Sequence, residues 1–122
     1  MEVFALILRI LFALFFMFAG YMHFAKPRFF NHFIPDFFPK LAVNYVVGII
    51  EFLLGLGLIF KITTLYAAIG IFILMVLFLP IHIWDATKVK PAIGSKKMAY
   101  VRVPLQFVLM LFAWVIYAYF EN

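Results

Sequence analysis

The chain has 122 residues, with 10 Lys and Arg against 5 Asp and Glu, and no cysteine. Hydrophobic residues make up 69% and charged residues 12%, about half the charged share of a soluble domain. A soluble chain of this length leaves roughly a third of its unfolded surface in water, so an ordinary soluble enzyme and a disordered segment are excluded. The net charge of +5 does not indicate nucleic acid, because nucleic-acid-binding domains set their basic residues on a polar face. Absence of cysteine excludes disulfides, thiolate metal sites, iron–sulfur clusters and thiol redox chemistry within this chain. What remains is a single integral membrane domain, residues 1–122.

A bilayer core about 30 Å thick takes about 20 mostly apolar residues per helix. Four such runs occur, at about residues 3–24, 42–60, 63–84 and 100–120. Arg9 is the charge in the first, Glu51 in the second and Arg102 in the fourth; the third has no Asp, Glu, Lys or Arg. The runs are apolar on every face, which excludes the alternation of a small barrel. The predicted fold is all-α, an antiparallel up-down-up-down four-helix membrane bundle. No A-x-A cleavage pattern follows the first run, whose only early cation is Arg9, so it reads as a retained helix rather than a signal peptide.

The connections fit this division. Residues 25–41 hold Pro27, Pro35 and Pro39 together with Phe29, Phe30, Phe33, Phe37 and Phe38. Five phenylalanines do not belong in water and three prolines with Asp36 do not cross a membrane, so this loop reads as an interfacial or re-entrant lid or anchor. His32 within it carries no signal. Lys61-Ile62 is a tight turn, and residues 85–99 form a polar, Lys-rich loop. Tyr21, Tyr45, Trp84 and Tyr100 mark the boundary with the two long loops, and Tyr66, Tyr117 and Tyr119 the opposite one.

Polar residues inside spans are costly and normally face the bundle interior. Arg9, Ala13, Phe16, Gly20 and His23 recur at helical spacing, as do Asn44, Gly48, Glu51 and Gly55. Gly20, Gly48 and Gly55 are the helix-packing positions, since small residues let backbones approach. Ala68, Ile71, Met75, Phe78 and His82 would face inward on the third helix, and Arg102, Gln106, Leu109 and Ala113 on the fourth. Counting depth at 1.5 Å per residue sets Glu51 about 13 Å below the long-loop boundary and Gln106 about 9 Å below it, with Arg9 about 7 Å further from that boundary than Glu51. A polar ladder results, with His23, His82 and Arg102 at the mouth, then Gln106, Glu51 and Arg9.

Each member also has a structural reading. Arg9 either pairs across the core or snorkels to its nearer interface. Glu51 is either a partner of Arg9, Gln106 or Arg102, or a group that handles a proton or ligand. His23 and His82 read as interfacial hydrogen-bonding residues; two histidines without a third ligand are weak evidence for haem or metal, and no metal site is expected.

Four motifs carry a resemblance. Gly20-Tyr21-Met22-His23-Phe24 before a Pro-rich loop resembles the G-x-x-H-F ending of the first helix in DoxX-like membrane proteins. Gly48-Ile49-Ile50-Glu51 with Gly55-Leu56-Gly57-Leu58, Pro80-Ile81-His82-Ile83-Trp84, and Arg102-Val103-Pro104-Leu105-Gln106 are similar to that family's signatures in helices two, three and four. His82 stands where many members have Asn, which argues against an obligatory metal ligand. The resemblance implies a four-helix membrane bundle in a bacterial cytoplasmic membrane. It also implies association with redox systems, members including a subunit of a thiosulfate:quinone oxidoreductase, while distant relatives act as cargo receptors or chaperones.

The expected function is therefore a redox-associated membrane subunit or accessory protein that binds a quinone-like or other small apolar ligand near Glu51. Its polar head would be held by His23, Arg102 and Gln106 after passage through the mouth. A non-catalytic chaperone, assembly or scaffold protein is the alternative, and a transporter, which would need a homo-oligomer, comes third. Expected partners are the lipid bilayer and a redox subunit, with no nucleic acid.

Eight Lys and Arg lie on the long-loop side and two, Arg9 and Lys61, on the other, which predicts cytoplasmic long loops and both termini outside. A cysteine placed at Lys96 should stay shielded from an impermeant thiol reagent in intact cells, while one at Asn122 should react. The reverse labelling would invert the orientation.

Overall fold

The structure is a computed structural model that describes residues 2–121. It contains four long helices, α1 (Glu2–Ala25), α2 (Lys40–Ile59), α3 (Thr64–Ala86) and α4 (Lys96–Phe120), all long and apolar enough to cross a membrane. The largest departure from the sequence expectation is at the start of α4, four residues earlier than the apolar run. Ser95 explains it. Its hydroxyl accepts from the Met98 amide and caps the free N–H groups of the first turn, so helix begins in the basic segment. The turn between α2 and α3 is a single 3-10 turn, Lys61–Thr63. Thr63 Oγ1 donates to Gly57 O at 2.6 Å and Thr64 Oγ1 to Phe60 O at 2.8 Å, so carbonyls at the end of α2 are not left bare.

The helices form two antiparallel hairpins, α1–α2 and α3–α4, which meet through α2–α3 and more sparingly through α1–α4. The α1–α2 seam is a backbone contact. A methyl group on Gly20 would lie 2.5 Å from Gly48 O and 2.6 Å from Phe52 N, and one on Gly55 2.7 Å from both Ala13 O and Met17 N. Only glycine permits this approach. The same contacts fix the register, with Gly20 level with the stretch between Gly48 and Phe52, and Gly55 level with that between Ala13 and Met17. Ala25 is thereby level with Tyr45, and α2 rises beyond the end of α1 by about 7 Å, five residues at helical rise. The loop fills that step, with a 3-10 helix over Pro27–Phe33.

Core and cavity divide the bundle along its length. Leu8, Phe12, Ala13, Phe16, Leu58, Ala67, Ala68, Ile71, Leu74, Met75, Ala113 and Ile116 form one buried cluster, in the half away from the long loops. In the other half a cavity lies between the hairpins, lined also by the Pro27–Phe33 loop.

Gly20→Ala should loosen the α1–α2 seam and lower stability in detergent by about 1–3 kcal/mol, the usual range for overpacking. Gly70→Ala should cost less, because its methyl would meet the Leu54 side chain rather than backbone. Thermal or SDS unfolding of the two variants checks the order.

Candidate functional site

Asn44, one turn into α2 and fully buried, organises the polar end of the bundle. Its Nδ2 faces three acceptors, Lys40 O at 3.0 Å, Asn31 Oδ1 at 3.1 Å and Pro27 O at 3.3 Å. Two of these are backbone carbonyls, which only an NH2 group can face, so Oδ1 is turned the other way, 2.8 Å from His23 Nδ1. His23 therefore carries a proton on Nδ1. Its Nε2 lies 2.9 Å from Glu51 Oε1, and both residues are buried. Phe30 of the loop stacks on the imidazole at 3.8 Å between ring centroids. One asparagine thus holds the loop down and orients the histidine that meets the carboxyl group.

Beside this pair lies a cavity of about 490 Å³. Its wall is almost wholly apolar, with His23, Glu51, His82 and Arg102 as the polar residues. Phe29, Phe30, Phe33 and Phe38 of the loop cover it from above, and the Phe33 ring stands edge-on to His82 at 5.8 Å. The loop read as a lid or anchor therefore lies against the cavity. Arg102 Nη1 is buried with no hydrogen-bond partner.

Arg9 and Gln106 lie elsewhere. Arg9 donates through Nε to Leu58 O at 2.6 Å and through Nη2 to Ile59 O at 2.9 Å, with its guanidinium 5.1 Å from the Phe120 ring centre. It neither snorkels free nor pairs with Glu51. A cation at the C-terminal end of α2 satisfies open carbonyls and complements the helix dipole. Gln106 donates to Met75 O at 2.7 Å and is not part of the cavity wall, while its Oε1 is buried without a partner. Of the partners expected for Glu51, none holds it; His23 does. The glycine-set register gives the reason. Glu51 is level with Ala19, ten residues from Arg9, so their separation along the bundle is about 15 Å, twice the expected value.

Asp85 is a residue the sequence reading left without a role. It is buried at the end of α3 and accepts from Ala92 N at 2.7 Å and Ile93 N at 3.3 Å, with Lys88 Nζ at 3.3 Å. An acid at a helix C-terminus opposes the dipole, and that placement was the available signal. Lys88 also donates to His32 O at 2.5 Å, which joins the two long loops. On the exposed rim, the hydrogen bond and charge of Lys40 hold the Asp36 carboxyl below its ordinary range. Among the described residues no group of three or more His, Asp or Glu side chains is arranged to hold a metal ion.

A family model described as a domain of unknown function, DUF8561, matches residues 12–117. The chain belongs to this family. The match spans the glycine seam, His23, Asn44, Glu51, His82, Arg102 and Gln106, and so includes every polar residue of the cavity wall. No curated protein and no solved structure matches the chain.

Because Glu51 bonds to His23 and not to Arg9, the destabilisations from Glu51→Gln and Arg9→Met should add within about 0.5 kcal/mol. Glu51→Leu, which unlike the amide leaves His23 Nε2 without a partner, should deviate from additivity by more than that when combined with His23→Phe. Unfolding of the single and double variants in detergent measures both couplings.

Proposed function

We propose that this membrane protein holds one small, largely apolar, membrane-soluble ligand in the cavity between its hairpins. By size and surroundings the ligand is quinone-like, an apolar body with a head that takes hydrogen bonds. The observation that carries this reading is the cavity itself. Its volume lies within the roughly 300–1,000 Å³ of small-molecule sites, and such sites combine apolar walls with a few convergent polar groups. The resemblance to DoxX-like proteins supports it, because His23, Glu51, His82 and Arg102 belong to the motifs that carry the resemblance and also line the cavity. On that analogy the chain serves as an accessory protein or membrane subunit of a redox system, with its long basic loops in the cytoplasm. The buried Asn44 network favours the competing scaffold reading only in part, since it explains the loop but not the space beneath it.

Native mass spectrometry of gently extracted protein should show one bound apolar molecule per chain. Val47→Phe, which fills the cavity from α2, should lower its occupancy roughly tenfold, a change of about 1.4 kcal/mol, without lowering the melting temperature. Glu51→Gln should fold normally, because an amide donates to His23 Nε2 as a protonated carboxyl would, and should lose physiological activity. Unchanged ligand occupancy in Val47→Phe would refute the site, and wild-type activity in Glu51→Gln would favour the scaffold.

A further inference from the structure

Two arginines lie within the spans, and the fold satisfies only one. Arg9 has two carbonyl acceptors and an aromatic ring. Arg102 lines the cavity, yet among the described residues no oxygen accepts from its guanidinium, and its Nη1 is buried without a partner. An unmatched cation beside an apolar wall is costly. Gln106 Oε1, one turn along α4, is likewise buried without a partner, but no hydrogen bond joins the two, so Nη1 is available to an acceptor from outside the chain.

The other charges near the cavity cancel. Nδ1 of His23 already carries a proton towards Asn44, so its Nε2 can approach Glu51 Oε1 to 2.9 Å only with a proton between them. Whether that proton sits on nitrogen or oxygen, the pair has zero net charge. Asp85 is matched by Lys88 and Asp36 by Lys40. His82 can add only positive charge. Arg102 is left as the uncompensated charge of the cavity wall, and a neutral head group would leave it so.

Phe15 of α1 and Leu77 of α3 line the cavity and are still 52% and 64% exposed. Each lies nine or ten residues from the long-loop end of its helix, about 14 Å down and near mid-bilayer. Residues of the cavity wall thus also face hydrocarbon at mid-depth, beside a roof whose Phe29 and Phe38 are 67% and 47% exposed.

We propose that the cavity takes an acidic amphiphile, with a carboxylate or phosphate head set against Arg102 and a long apolar tail leaving sideways into the lipid. This rests on the reading of the cavity as a ligand site and departs from the quinone-like head, putting an anionic one in its place. An oxyanion matches a guanidinium through charge-assisted, often bidentate, hydrogen bonds, and a tail of this kind reaches the site without crossing water.

The test compares oleate, oleyl alcohol, oleoyl lysophosphatidate and decylubiquinone on the protein in neutral detergent above neutral pH, read by native mass spectrometry. Oleate should bind at least about tenfold more tightly than oleyl alcohol, the same chain without the charge. That preference should vanish in Arg102→Gln, persist in Arg102→Lys, and be unaffected by the surface changes Lys90→Gln and Lys97→Gln. Relative affinities of oleate and lysophosphatidate assign the head as carboxylate or phosphate. Equal binding of oleate and oleyl alcohol, or a preference that survives Arg102→Gln, overturns the acidic head while leaving the wider reading in place if decylubiquinone binds. Failure of all four to bind overturns both. Should Arg102→Gln not fold, the wild-type comparison of oleate with oleyl alcohol still decides whether the head is anionic.

Discussion

The backbone contact between α1 and α2 governs the rest of the molecule. Helices in lipid gain little from hydrophobic burial, so they associate through close packing and hydrogen bonds. Gly20, Gly48 and Gly55 bring the two backbones together so closely that any side chain in their place would strike main-chain or Cβ atoms. His23 follows Gly20 by three residues, and Asn44 and Glu51 flank Gly48 on the opposite helix. At this helix separation the imidazole reaches both partners, at 2.8 and 2.9 Å. A wider seam would strand three polar groups in a low-dielectric interior, where an unmade hydrogen bond costs far more than a made one returns.

The register of that seam also makes the cavity. Because α2 rises beyond α1, the first loop drops into the step and from there covers the cavity. There Asn44 takes Pro27 and Asn31 from below, and Lys40 Nζ donates to Asn31 O at 3.0 Å. The loop phenylalanines then have an apolar surface to cover, which resolves the conflict between their hydrophobicity and the prolines among them. The hairpins stay packed where the tight turn and Arg9 hold them, and part where the loop intervenes. Roof, polar pair and empty volume are consequences of one offset.

Much of this was legible in the sequence, and the part that was not has a definite cause. Periodicity identified the inward stripes, and Arg9, Ala13, Phe16, Gly20 and His23 are all buried, as are Asn44, Gly48, Glu51 and Gly55. Helical spacing tells which face a residue occupies. It does not tell how far one helix is slid along another, and partner choice depends on that. Counting depth from apolar boundaries assumed that α1 and α2 end at the same height, which set Glu51 too close to Arg9 and too far from His23. Asp85 was missed for a related reason. Its partners are the amides of Ala92 and Ile93, and backbone donors leave no trace in side-chain pattern.

The two arginines show how the same residue type separates structure from function. Each enters the apolar layer from an opposite end, and each brings five donors that hydrocarbon cannot satisfy. At Arg9 the chain itself supplies acceptors, because α2 ends there and leaves carbonyls open. At Arg102 no such acceptor is bonded, and Nη1 stays without a partner among the described residues. Pro104 in α4 and Pro80 in α3 each remove a backbone N–H and free a carbonyl one turn earlier, at Tyr100 and Val76, yet no hydrogen bond joins either to Arg102. A residue placed where the fold cannot satisfy it, beside a volume that the fold does not fill, is the arrangement expected of a binding site rather than of a bundle optimised for stability alone.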